Sequence, residues 1–135
     1  MRDATIDAIA ARLAAFDTVV EVGVGHQPAV AGTLADAGVT VTATDITERS
    51  VPDGVTFVCD DVTDPDHSVY ADADAIYALN CPPELHRPIA DLARAIDAAF
   101  LFTTLGADPP TIPVRRETLP GETLFVFDSR PTETP

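Results

Sequence analysis

The sequence predicts an α/β fold: a Rossmann-like three-layer sandwich whose mostly parallel sheet runs in the order 3-2-1-4-5, with a C-terminal antiparallel hairpin. Three observations predict it. Strand-like and helix-like stretches alternate from residue 5 to residue 105, a Gly-x-Gly turn follows the first buried strand, and the helical spacing then gives way to two strand-like runs joined at Pro120-Gly121. Alternation of this kind favours parallel strands joined by right-handed crossovers, with helices covering both faces.

The elements follow from residue spacing. Ile6, Ile9, Ala10, Leu13 and Phe16 share one face of a helix over residues 5–16, for which Asp3 or Thr5 is the expected N-cap. "TVVEVGVG" (Thr18 to Gly25) is a buried strand and glycine turn. "QPAVAGTLADAG" (Gln27 to Gly38) is a short helix with Pro28 near its first turn and Gly38 past its end. A second strand ends on Asp45, and a third spans Val55 to Cys59 after the Pro52-Asp53-Gly54 turn. Asp64 and Pro65 open a helical segment towards Tyr70, and "DAIYALN" (Asp74 to Asn80) is a fourth strand. The next helix is shaped by Pro82, Pro83 and Pro88. Leu85, Ile89, Leu92, Ala93, Ile96 and Ala99 fall on its apolar face, and Phe100 to Leu105 form a fifth strand. Residues 1–130 are expected to be one domain and 131–135 a frayed tail.

Composition narrows the function. The 135 residues include 16 Asp, 6 Glu, 8 Arg and no Lys, for a formal net charge of -14. Phosphate contacts need cations, so direct binding of duplex nucleic acid is not expected. Molar salt shortens the Debye length to about 3 Å and relieves the self-repulsion of such a chain. This composition resembles that of haloarchaeal proteins and points to a halophilic cytoplasm. No apolar run approaches the roughly 20 residues of a membrane span, and the N-terminus is unlike a signal peptide. Cys59 and Cys81 suit neither a disulfide framework nor a zinc site and are expected to be small buried hydrophobes. Asp60, Asp61, Asp64, Asp66 and His67 are crowded together, but without calcium-loop spacing they are expected to be solvated surface, and no metal is expected.

"EVGVGHQP" (Glu21 to Pro28) is the strongest candidate for chemistry. Glycines between a buried strand and a helix let a ligand approach the backbone. Pro28 stands where a dinucleotide fingerprint would place its third glycine. Asp45, 20 residues after Gly25, ends strand two, where a carboxylate can accept both hydroxyls of a ribose. The ligand class is therefore a nucleoside-type small molecule, with S-adenosylmethionine, NAD and ATP as candidates. His26 could donate to a carboxylate or phosphate, and its near-neutral reference pKa permits proton transfer; in a different nucleotide enzyme His26 and Glu84 would act on a bound substrate, but their separation is expected to exceed proton-transfer reach. Arg115 and Arg116 should point to opposite faces of a strand.

Glu21-x-Gly-x-Gly, the acidic end of strand two and the Asp60-Asp61 pair after strand three resemble the S-adenosylmethionine-dependent methyltransferases with a Rossmann-like sheet. That resemblance implies that Gly23 and Gly25 approach the methionine part of the cofactor. It also implies that Asp45 holds the ribose and that Asp60 or Asp61 lies near the adenine amino group. "NCPPEL" (Asn80 to Leu85) resembles the Asn-Pro-Pro-aromatic motif of amino-group methyltransferases, although Cys81 follows Asn80 and Glu84 replaces the aromatic residue. Val20 to Ile46 and Asp74 to Ala93 resemble UPF0146, a family of archaeal proteins that looks like a shortened methyltransferase fold. The competing expectation is a non-catalytic interaction or regulatory module on a degenerate version of this fold, with a protein partner. A crevice blocked by side chains would favour it.

Overall fold

The computed structural model describes residues 1–25 and 27–128; His26 and the expected tail at 131–135 lie outside the described residues. The elements are α1 (Asp3–Leu13), β1 (Thr18–Val22), α2 (Ala29–Asp36), β2 (Thr40–Asp45), β3 (Val55–Cys59) and α3 (His67–Tyr70). They continue with β4 (Ala75–Ala78), α4 (Pro83–Ile96), β5 (Ala99–Phe102), β6 (Arg115–Leu119) and β7 (Glu122–Asp128). The sheet runs β3-β2-β1-β4-β5-β7-β6, the first five strands parallel and the hairpin antiparallel. The hairpin enters through its second strand: β7 pairs with β5 and leaves β6 at the edge.

Alternation along the strands divides the core into two layers. Val20, Ile76, Phe100 and Phe102 point to the side covered by α4, where they meet Ile89, Leu92 and Ala93. Val19, Ala75, Tyr77 and Leu101 point to the other side, covered by α1 and α2 through Ile9, Leu13, Val30 and Leu34. Near-continuous burial of β1, β4 and β5 is what a sheet covered on both faces requires. Among the described residues, no helix is long and apolar enough to cross a membrane.

Three local expectations are corrected. Neither Asp3 nor Thr5 caps α1: Arg2 occupies the N-cap position without a side-chain bond, and Thr5 Oγ1 instead donates to the Pro120 carbonyl at 2.7 Å. The helical segment opens at His67, not at Asp64 and Pro65, and Asp66 caps it, its carboxylate accepting from Ser68 N. Cys59 is exposed, because β3 is flanked by β2 on one side only; Cys81 is buried as expected. Arg115 and Arg116 do diverge, Arg115 pairing with Glu117 while Arg116 lies over the Phe125 ring.

The contact between α1 and the β6–β7 turn depends on a glycine. Gly121 has φ +75°, and a Cβ there would lie 2.7 Å from Thr5 Oγ1. Gly121→Ala is therefore expected to destabilise the protein by about 1–3 kcal/mol, from left-handed strain and a broken hydroxyl contact. Equilibrium denaturation in molar KCl checks this, and a loss below about 0.3 kcal/mol would contradict it.

Candidate functional site

The order of the strands reverses between β1 and β4, so a crevice opens beyond their carboxyl ends. One wall is the glycine loop, which contributes Gly23, Val24, Gly25 and Gln27. Gly23 and Gly25 have φ +74° and +57°, and at neither would a Cβ meet another atom within 4 Å. Both glycines are thus required by backbone conformation, and the space above them is open.

The end of β2 clamps this loop. Gly23 N and Val24 N both donate to the Thr44 carbonyl, at 2.9 and 3.0 Å, and Gly25 N donates to Asp45 Oδ2 at 2.8 Å. Thr44 Oγ1 completes the link by donating to the Glu21 carbonyl. The Asp45 carboxylate also accepts a longer bond from Thr47 N at 3.3 Å and pairs with Arg49 Nε at 3.4 Å.

The opposite wall is built on Asn80, which sits in the left-handed region at φ 51°. Asparagine tolerates that conformation better than most residues. Its backbone N–H donates to Thr103 Oγ1 at 2.8 Å, and Cys81 N donates to the Thr103 carbonyl at 2.7 Å. Behind Pro82 and Pro83, the buried ring of His86 accepts from Thr111 N at Nδ1 and donates from Nε2 to the Cys81 carbonyl. That pair of bonds defines the neutral Nε2–H tautomer. Burial pushes the Cys81 thiol up to about 12, which disfavours its thiolate form.

The crevice has two chambers that meet at Gly23, Leu79 and Asn80. One, of 270 Å³, lies along the glycine loop and reaches Glu21; the other, of 480 Å³, contains Asp45, Ile46, Asp60, Asp61 and Cys81. Seven of the eight expected site residues, Glu21, Gly23, Gly25, Asp45, Asp60, Asp61 and Asn80, thus line one crevice; His26, and with it the pairing to Glu84, lies outside the described residues. Within the crowded acidic stretch, the Asp60 carboxylate accepts from Tyr70 Oη at 2.6 Å and from Asp66 N at 3.0 Å. Asp61 Oδ1 accepts from Thr63 N and Oγ1, which hold its carboxyl below the usual range. Ile46, 75% exposed on the chamber rim, was not anticipated: an apolar residue after a strand carries no sequence signal of exposure.

Glu21 is buried to 1% exposure, and its Oε1 accepts from Tyr77 Oη at 2.7 Å, its neighbour in register on β4. Desolvation pushes its carboxyl up to about 7, against the lowering effect of the Tyr77 bond and with a smaller rise from Asp45. An acid raised in this way stays protonated in the fold while the unfolded chain ionises near its ordinary value. Stability is therefore lost as pH rises from about 4.5 to about 7 and then levels. The Glu21→Gln variant should remove that slope, gaining roughly 3 kcal/mol on the native chain between pH 4.5 and 7.5. Denaturant titrations of both proteins at fixed molar KCl measure it, and parallel pH curves would contradict it.

These features define a class before they define a family: a methyltransferase-type Rossmann fold with an open crevice at its switch point. The same fold is seen in an RNA methyltransferase from Salinibacter ruber solved with S-adenosyl-L-homocysteine. The TM-score is 0.70 at 16% identity, and the match covers 100% of this chain and 95% of that one. It is seen also in magnesium protoporphyrin IX methyltransferase from Synechocystis with bound S-adenosylmethionine, with a TM-score of 0.62 at 17% identity over 90% of this chain and 76% of that one. The chain belongs to the uncharacterised protein family UPF0146, whose family model matches residues 4–130. A UPF0146 protein of Halobacterium salinarum is 55% identical over 87% of this chain and 92% of its own length. One from Archaeoglobus fulgidus is 46% identical over 67% of this chain and 69% of its own length.

Proposed function

We propose that the crevice binds an adenosine-containing cofactor, S-adenosylmethionine first among them. The observation that carries this reading is the juxtaposition of an open glycine loop, a strand-ending Asp45 and an exposed Ile46 around one cavity. The residues fit the group. A carboxylate has about four lone-pair sites. Gly25 N takes one at close range, whereas the contacts from Thr47 and Arg49 are long enough to give way to ribose hydroxyls. Ile46 offers an apolar surface for a purine beside Asp45. Asp61 is better placed than Asp60 to accept from the adenine amino group, because both Asp60 oxygens already accept bonds within the protein. Gly23 and Gly25 leave the other chamber open to the amino-acid end, where Glu21 can meet an ammonium.

Bound there, S-adenosylmethionine would supply an electrophilic methyl group. Asn80, shared by both chambers, would stand between the cofactor and an acceptor. Acidity argues for a small-molecule acceptor over a nucleic acid, since binding many phosphates without lysines is electrostatically unfavourable. The rival reading, a non-catalytic interaction module, draws its best support from a filled crevice, and this crevice is open.

Calorimetric titration in molar KCl with S-adenosylmethionine, S-adenosylhomocysteine, NAD and ATP tests the reading. Saturable binding of the first two is expected, at least tenfold weaker in Asp45→Ala with the fold retained. Absence of binding by all four would overturn it. The affinity for S-adenosylmethionine should also rise with pH from about 5.5 to 7.5, because a cationic ligand must draw the proton from Glu21 below about pH 7. In Glu21→Gln that dependence should vanish; a slope unchanged by the substitution would exclude Glu21 from the site.

A further inference from the structure

Away from the crevice, the sheet outgrows its helices on the α4 side. The connection from β5 to β6 forms no helix, so β7 and the edge strand β6 extend past α4 with no helix of their own on that face. Phe125 and Phe127 point there, yet each is only 7% exposed. Arginines complete their cover. The Arg116 guanidinium lies 5.3 Å from the Phe125 ring centroid, and that of Arg94 lies 5.5 Å from the Phe127 ring centroid.

Strand pairing sorts the charges of the hairpin by face. Arg116 opposite Phe125 and Thr118 opposite Thr123 share the α4 side, whereas Glu117 opposite Leu124, Glu122 opposite Leu119 and Asp128 opposite Ala99 lie on the α1 side. The hairpin therefore places no carboxylate beside Arg116, in a chain that carries 22 of them. On α4, Arg94 meets Asp91 only at 3.9 Å, with the two side chains 57% and 59% exposed, and such a pair contributes little. Arg87 stands two turns earlier on the stripe of Arg94, about 10 Å along the axis. It forms no ion pair among the described residues. Three arginines thus gather on one face of a strongly acidic protein. Stacking on a ring fixes a guanidinium plane and leaves its edge N–H donors free for the fork of a carboxylate. Because Phe125 and Phe127 are two residues apart on one strand, the stacked groups cover rings about 7 Å apart, the spacing of alternate residues in an extended chain.

We propose that this face docks an extended acidic segment of a partner protein, with carboxylates on alternate residues received by Arg94 and Arg116. Charge complementarity selects the occupant. A long polyanion such as a nucleic acid would run off the three arginines onto the surface of a chain with net charge -14, and a second copy brings that same charge. A short segment stays on the patch. In molar salt the Debye length of about 3 Å leaves only direct contacts, which favours forked arginine–carboxylate bonds over diffuse attraction. The surface is separate from the crevice, and the proposal stands without the cofactor reading.

The full chain, labelled with nitrogen-15 in molar KCl, is titrated with a peptide of alternating Glu and Thr, with its Gln-Thr counterpart and with oligouridylate. The Glu-Thr peptide alone should give saturable shifts at the Arg94 and Arg116 Nε–H groups and at the Thr118 amide. Arg94→Gln and Arg116→Gln, each retaining a folded spectrum, should weaken that binding about fivefold or more. Arg116→Lys, which keeps the charge and the cover over Phe125 but loses the fork, should weaken it as well, and Arg115→Gln on the opposite face should leave it unchanged. Absence of these shifts with the Glu-Thr peptide would overturn the proposal, as would shifts that the Arg94 and Arg116 substitutions leave unaltered. Equal or stronger shifts with oligouridylate would assign the patch to a nucleic acid. Shifts at the same groups that depend on protein concentration alone would assign it to a second copy, and either result overturns the acidic segment.

Discussion

The bond from Gly25 N to the Asp45 carboxylate is the constraint on which the site depends. Parallel pairing of β1 and β2 brings the end of β2 level with the start of the glycine loop, and three consecutive loop amides find their acceptors there. A loop with two left-handed residues would otherwise leave these donors to water and its path undetermined. Because the acceptors belong to a buried strand, the loop is held back against β2 and the crevice stays open above it. Asp45 is thus a structural residue first. Any ribose it holds is bound by a carboxylate whose position is already paid for by the fold.

The far wall uses a different device. Asn80 accepts a left-handed conformation, and Thr103 at the end of β5 anchors both Asn80 and Cys81 through side-chain and backbone acceptors. Pro82 and Pro83 then limit the turn into α4, and His86 ties it to Thr111 beyond β5. Two neighbouring strands therefore support each wall, β1 and β2 on one side and β4 and β5 on the other. An opening between two such pairs is what the reversal of strand order creates.

Much of this was legible in the residues. Buried strands, the glycine turn and the position of Asp45 are local patterns, whereas Asp60 and Asp61 entered as what the resemblance to methyltransferases implies. What stayed hidden depends on distant partners. Thr5 looks like a helix cap, yet it bonds the Pro120 carbonyl, 115 positions away, because the hairpin docks against α1. Cys59 resembles a core residue by composition, but its strand lies at the sheet edge. Asp60 stands out as a ligand candidate until Tyr70 is seen to occupy it, and Glu21 shows its burial and its Tyr77 partner only once β4 lies beside β1. The 22 carboxylates make each isolated acid uninformative, and only placement at the strand ends separates Asp45 and Glu21 from the solvated majority.

The central claim is that the crevice at the ends of β1 and β4, and no other surface, receives the adenosyl ligand. Chemical-shift mapping with S-adenosylhomocysteine in molar KCl tests it most directly. The account predicts saturable shifts at Gly23, Gly25, Ile46 and Asp61, with Asp17, Asp74 and Asp97 at the opposite end of the sheet unmoved. Saturable shifts centred on that opposite end, or none anywhere, would contradict it.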